Sequence, residues 1–152
     1  MNIIIAADHR GFELKNKIIT YLNNKNIFCI DCGPSSYDPS DDYEDFVIYA
    51  MEKMQELPGS MGILICKNGA GVSISANKFK NIRCAISFNK DHIASMKNDD
   101  NLNVLAIPTE FIEEKNVFEI IDSFLSTPFS NEKRHIRRLD KLTTLENKNF
   151  KG

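Results

Sequence analysis

No apolar run in this chain approaches the ~20 residues that a membrane-spanning helix needs, and no segment is repeated or of low complexity. Lysine and arginine number 19 against 21 aspartates and glutamates, a formal net charge of −2. So small an imbalance gives no reason to expect nucleic acid or an anionic membrane as a partner. The amino terminus, Met1 to Asp8, lacks the cationic start, apolar stretch and cleavage site of a secretory signal. A cytoplasmic protein is therefore expected, with its four cysteines as thiols. Cys29 and Cys32 form a C-x-x-C pair with no second pair and no histidines at ligand spacing, so no metal site is expected. The pair ends an apolar strand and runs into Gly33-Pro34, whereas thioredoxin-like pairs sit at a helix start. It reads either as a chance pair in a strand or as a redox pair. Cys84, inside Ile82 to Ile86, reads as a small buried hydrophobe.

What is present is enough for one domain with a real core: 152 residues, 42% hydrophobic and 26% charged. Short apolar runs at Ile3–Ala7, Ile27–Asp31, Gly62–Ile65, Arg83–Ser87 and Val104–Ile107 read as strands. Helical spacing falls between them, at Gly11–Lys25, Asp45–Leu57, Gly71–Phe79, Lys90–Asn98 and Glu110–Leu125. Pro34 to Asp42 is a polar loop, Pro58-Gly59 stops a helix, and a last basic helix begins near Glu132. Strands alternating with helices predict a doubly wound, Rossmann-like α/β fold: a five-stranded parallel sheet with helices on both faces, plus a carboxy-terminal helix. The domain is expected over residues 1–142, with a polar tail over 143–152 that frays from Asn147.

In such a sheet the carboxyl ends of the strands share one edge, where small ligands bind. Cys66 closes the third strand there and is followed by Lys67-Asn68-Gly69-Ala70-Gly71. This loop is not a P-loop, because no Gly-Lys-Ser/Thr ends it, and it is not a dinucleotide fingerprint, because the third glycine is missing. What it can form is a nest of backbone amides for a phosphate or a developing oxyanion. The same partial charges at the helix start favour the thiolate of Cys66, and Lys67 would add to this by folding over it. Asp8-His9 ends the first strand; it can be a plain helix cap, or a carboxylate and imidazole suited to a polyol. Tyr43 follows the second strand's loop. Arg134 and Arg138 lie four apart, hence on one helical face, which is either solvated or built for a phosphate dianion.

These motifs together resemble the ribose-5-phosphate isomerase B family and the related galactose-6-phosphate isomerase subunits. The resemblance rests on Asp8-His9-x-Gly11-Phe-x-Leu-Lys15, Gly62-Ile-Leu-Ile-Cys66-x-x-Gly69-x-Gly71-x-Ser73-Ile-x-Ala-Asn77-Lys78, Asn103-Val-Leu-Ala106 and Arg134-His-x-Arg-Arg138, and runs from residue 2 to about 142. It implies a cofactor-free, metal-free interconversion of an aldose phosphate and a ketose phosphate through a cis-enediolate. By position, Cys66 would be the base that moves a proton between C1 and C2. The 69–71 backbone, Ala70 included, would hold the enediolate oxygens. Asp8 and Tyr43 would meet sugar hydroxyls or the ring, and His9, Arg134 and Arg138 would bind phosphate. The resemblance also implies a homodimer, possibly a tetramer, in which the basic helix of one subunit serves its neighbour's Cys66.

The chain departs from the family in this same pocket. Asp99 stands where the family commonly has the histidine assigned to ring opening, and would need burial to act as an acid or base. Asp100 takes the place of an asparagine that contacts the enediolate. Lys67-Asn68 replaces glycine and threonine or serine, Pro108 a glycine and Glu110 an arginine near the phosphate. His92 is a second candidate for the missing histidine. Three functions follow: an isomerase of ribose 5-phosphate, an isomerase of another sugar phosphate such as galactose 6-phosphate or allose 6-phosphate, or a non-catalytic sugar-phosphate binder.

Overall fold

Five apolar runs pair side by side, all in parallel. In the computed structural model, which describes residues 1–150, they are β1 (Ile3–Ala7), β2 (Cys29–Asp31), β3 (Met61–Cys66), β4 (Cys84–Ile86) and β5 (Val104–Pro108). The helices between and after them are α1 (Phe12–Asn24), α2 (Tyr43–Glu56), α3 (Ala70–Ala76), α4 (Lys90–Asp100), α5 (Glu114–Ser126) and α6 (Lys133–Asn149). The sheet order is β2-β1-β3-β5-β4. Central strands β1, β3 and β5 are buried at every position, which is why they read as unbroken apolar runs rather than alternating ones. Among the described residues no helix is long and apolar enough to cross a membrane.

The two faces of the sheet carry separate cores. Leu14, Ile18 and Leu22 of α1, Ile93 of α4 and Val117, Ile120, Ile121 and Phe124 of α5 pack on one face. Val47, Ala50, Met51 and Met54 of α2 and Val72 and Ala76 of α3 pack on the other. The fold is thus doubly wound, as the sequence predicts. The chain leaves β1 for β2 on one side and returns to β3 on the other, so the winding reverses between β1 and β3. A crevice opens at such a reversal, beyond the carboxyl ends of the two strands.

Several boundaries differ from the sequence reading, each for a local reason. Strand β2 begins at Cys29 rather than Ile27, because the amide of Ile27 turns back to the Leu22 carbonyl at 2.9 Å and closes α1. Helix α5 begins at Glu114 rather than Glu110. The amides of Thr109 and Glu110 instead bond to the carbonyls of Cys66 and Lys67, each at 3.0 Å, and prolong the β3–β5 contact. The stretch expected as a polar tail, fraying from Asn147, is helical to Asn149. Its Glu146 accepts from the amide of Asn81 at 2.7 Å, and this contact ties the helix back to the body. Residues 151 and 152 of that tail lie outside the described residues.

Candidate active site

The crevice at the β1–β3 reversal holds most of the residues expected on this edge. Asp8 follows β1, and its amide bonds to the Ile65 carbonyl at 3.3 Å, so it sits beside the end of β3. Its Oδ1 accepts from the amides of Arg10 (2.9 Å) and Gly11 (3.2 Å), as a capping aspartate would. Burial pushes the Asp8 carboxyl above its ordinary value, partly offset by the Gly11 amide. The cap and ligand readings are compatible, because those two bonds use one oxygen of the carboxylate.

Cys66 ends β3 at the carboxyl edge and is buried there, only 4% exposed. Its sulfur accepts the Gly69 amide at 3.2 Å. That bond exists because Gly69 takes a left-handed conformation, φ 77°, which swings its N–H back over the strand end. Asn68 Oδ1 takes the Ala70 amide at 3.0 Å. The nest is therefore partly filled by the chain itself, and the next amides of the helix start, from Gly71 on, are those left for a ligand. Lys67 does not fold over the thiol. Its ammonium pairs with Glu110 Oε2 at 3.7 Å, and Glu110 Oε1 pairs with Arg10 at 3.2 Å. The carboxylate that stands where the family has an arginine thus engages two cations at the mouth of the site.

Tyr43 opens α2 and lies on the glycine loop. A Cβ on Gly71 would sit 2.5 Å from Cζ and 2.8 Å from the hydroxyl oxygen of Tyr43. Gly71→Ala is expected to lower stability by about 1–3 kcal/mol as the ring is forced aside. Chemical denaturation of the variant checks this, and an unchanged midpoint would show that the ring is not held there. The Tyr43 hydroxyl is pushed up, first by Glu44 and to a lesser degree by the nearby Cys66.

His9 faces the long loop before α2. Its Nδ1 lies 2.7 Å from Asp41 Oδ1, and its backbone amide donates to the same oxygen at 3.0 Å. Asp41 was not legible as a site residue. It sits in a polar loop rich in aspartate and serine, and no spacing says which carboxylate folds back onto the first strand.

Asp99, Asp100, Arg134 and Arg138 do not join this cluster within one chain. Helix α4 starts at the carboxyl edge and runs back, so its last residues, Asp99 and Asp100, reach the amino edge of the sheet. There the Arg83 side chain, just before β4, bonds to the Asn101 carbonyl at 2.8 Å. Asp100 is exposed and borders a groove of about 410 Å³ with Asn81, Arg83 and Leu142. Asp99 is not buried either; its side chain is 46% exposed, and Oδ1 lies 3.7 Å from Nε2 of the fully buried His135. Arg134 and Arg138 project from the start of α6 beside them and are exposed. His92 cannot take over the place of Asp99. It lies in the first turn of α4, seven residues away, or about 10 Å along the axis.

The C-x-x-C pair has no activated thiol. Burial pushes Cys29 and Cys32 each up to about 11, with Asp31 adding to the rise. A redox pair needs the opposite shift, so the plain strand reading is favoured.

The chain as a whole has counterparts among known proteins. The ribose/galactose isomerase family matches residues 3–142. The chain belongs to that family. Ribose-5-phosphate isomerase B of Mycobacterium tuberculosis is 36% identical over 146 residues, covering 96% of this chain and 90% of the relative. Among solved structures, ribose-5-phosphate isomerase B of Mycoplasma genitalium with bound ribulose-5-phosphate superposes with a TM-score of 0.91. It shares 37% identity, with 96% of each chain covered. The enzyme of the same name from Thermotoga maritima gives a TM-score of 0.88 at 37% identity, covering 94% of this chain and 97% of that one. This chain is accordingly an enzyme of an isomerase family, and its fold is theirs.

Proposed function

We propose that this enzyme interconverts ribose 5-phosphate and ribulose 5-phosphate through a cis-enediolate, with Cys66 as the base. The observation that carries the reading is the sulfur at the end of β3, paired with the Gly69 amide and set beside Asp8 and the glycine loop. Removing a proton α to a carbonyl needs a base in reach and donors for the oxyanion that forms. Cys66 takes the proton from C2 of the open-chain aldose and returns it to C1, while the O2 hydroxyl proton passes to O1 across the enediolate. The amides at the start of α3 receive the enediolate oxygens. Burial of the sulfur keeps bulk water from the carbanionic intermediate, and Tyr43 is the side chain the sugar meets on its way in. The scheme uses no metal or cofactor.

Of the three expected phosphate ligands, one subunit brings His9 alone to this edge, because Arg134 and Arg138 lie at the opposite edge of the sheet. The reading therefore includes a homodimer, possibly paired into a tetramer. In it the partner subunit's Arg134 and Arg138 clamp the phosphate, and the partner subunit's Asp99, exposed in the single chain and buried only by docking against this site, opens the ring. Purified protein given ribose 5-phosphate should form ribulose 5-phosphate. No turnover on any aldose phosphate, with thermal stabilisation by one of them, would instead identify a binding protein.

A second reading is favoured by the charges at the mouth. Lys67 and Glu110, two positions where this chain departs from the family, form an ion-pair chain with Arg10. A panel that ranks ribose 5-phosphate below allose 6-phosphate or galactose 6-phosphate would establish another sugar as the substrate.

A further inference from the structure

The Asp41 carboxylate is an unusual loop side chain. Its side chain is 8% exposed, although it lies in a polar loop that has no secondary structure. One oxygen, Oδ1, takes both the amide and the Nδ1 of His9. The other, Oδ2, is sealed from solvent and has no hydrogen-bond partner. A carboxylate kept in such a place, with half its acceptor capacity unused, is costly to bury. A residue needed only to fasten a loop could do so at the surface, as Asp38 does with Ser40. The imidazole it holds is confined on a second side, by the edge of Tyr37 with ring centroids 6.3 Å apart. His9 Nε2 is left without a protein partner among the described residues.

We propose that Asp41 is a positioning residue for His9. By accepting from Nδ1–H it fixes the orientation of the ring and aims Nε2 at the phosphate of the sugar, where Nε2 and a phosphate oxygen share the proton of the phosphate monoester. An imidazole free to rotate or to exchange tautomers presents either nitrogen. One held at Nδ1 by a carboxylate presents only the other, as carboxylate partners do for ligating histidines elsewhere. This role rests on the proposed reaction, in which His9 meets the phosphate. The lock on the ring exists without substrate, so it can be tested apart from turnover.

The direct test is histidine ¹⁵N NMR of the unmodified, ligand-free protein, in which His9 should show a protonated Nδ1. A bare Nδ1 would overturn the proposal whatever any variant does. Asp41→Ala should release the ring to a mixture of tautomers and raise KM for ribose 5-phosphate by about tenfold or more, with kcat little changed, since the lost contact is to the non-reacting end of the substrate. Asp41→Asn keeps an acceptor in place and should recover most of both readouts. A merely structural Asp41 would lower the melting temperature of Asp41→Ala while leaving KM and the tautomer as they were, and that result would overturn the role. The two readings fail separately. Wild-type protein that leaves ribose 5-phosphate untouched but shows the protonated Nδ1 would sink the reaction and uphold the lock. Turnover with a bare Nδ1 would sink the lock alone.

Discussion

Cys66→Ala should lower kcat for the interconversion of ribose 5-phosphate and ribulose 5-phosphate by about 10²- to 10⁴-fold, the usual contribution of a positioned base. KM should move far less. The phosphate contacts assigned to His9 and to the arginines of α6 do not involve the sulfur, and a loss confined to kcat marks an interaction made in the transition state. The variant should still fold. Cys66 is one small side chain at the rim of a core anchored by Ile63, Leu64 and Ile65, all fully buried. The deletion frees the Gly69 amide that the sulfur now accepts at 3.2 Å, at a cost of about 1–3 kcal/mol. Cys66→Ser separates the two effects: its oxygen can still accept that amide, but a serine hydroxyl is a poor proton acceptor at neutral pH. It should recover the stability and not the rate. Steady-state kinetics with a melting curve for each variant measures both. Either variant turning over at the wild-type rate would remove Cys66 as the base and with it the mechanism.

The parts of this protein that were legible in the sequence are those set by local pattern. The runs Ile3–Ala7 and Val104–Ile107 are apolar throughout because β1 and β5 are buried on both faces, so strand, fold class and the edge bearing Cys66 followed from periodicity. Lys67 could not be placed the same way. Its partner Glu110 lies 43 residues on, and only the β3–β5 pairing brings the two together. The buried lysines were equally hidden. Lys15 is 1% exposed and paired with Asp31, and Lys97 donates to the Leu102 carbonyl at 2.9 Å with its ammonium 5.1 Å from the centre of the Phe124 ring. Each occupies an apolar helix face because a partner from elsewhere in the chain satisfies it, and helical spacing says nothing of such partners. Asp41 is the same case at the site: it is distinguished from Asp38 and Asp42 only by how the loop folds. That Arg134 and Arg138 lie away from the Cys66 of their own chain was legible only through the family resemblance, and that Asp99 does so was not legible at all: it follows from α4 returning to the amino edge and carrying Asp99 with it.

That division makes a prediction with a positive signal. Between Met61 and Cys66 the sheet is five steps deep, about 16 Å, and the start of α6 sits at the far end. The amide of Ser130 is fastened to the Asn98 carbonyl at 3.0 Å, and His135 packs against Asp99, which keeps the helix start there. No arginine side chain crosses that depth to its own Cys66. If the partner subunit's arginines complete each site, a Cys66→Ala dimer and an Arg134→Ala/Arg138→Ala dimer are both damaged at every site. The arginine pair should lower kcat/KM by about 10²- to 10⁴-fold, from two charge-assisted hydrogen bonds worth roughly 1.5–3 kcal/mol each. Mixed and allowed to exchange subunits, half the dimers become hybrids. Each hybrid has one site with both lesions and one with neither. Activity should therefore rise from near zero to about a quarter of the wild-type value, the share of intact sites in a randomly exchanged two-fold dimer. Native mass spectrometry would establish that exchange took place. A mixture that exchanges fully and stays inactive would mean that each site is built from one chain, and a protein that sediments as a monomer would mean the same. Either result would require His9, held by Asp41 of the loop before α2, to bind the phosphate without α6.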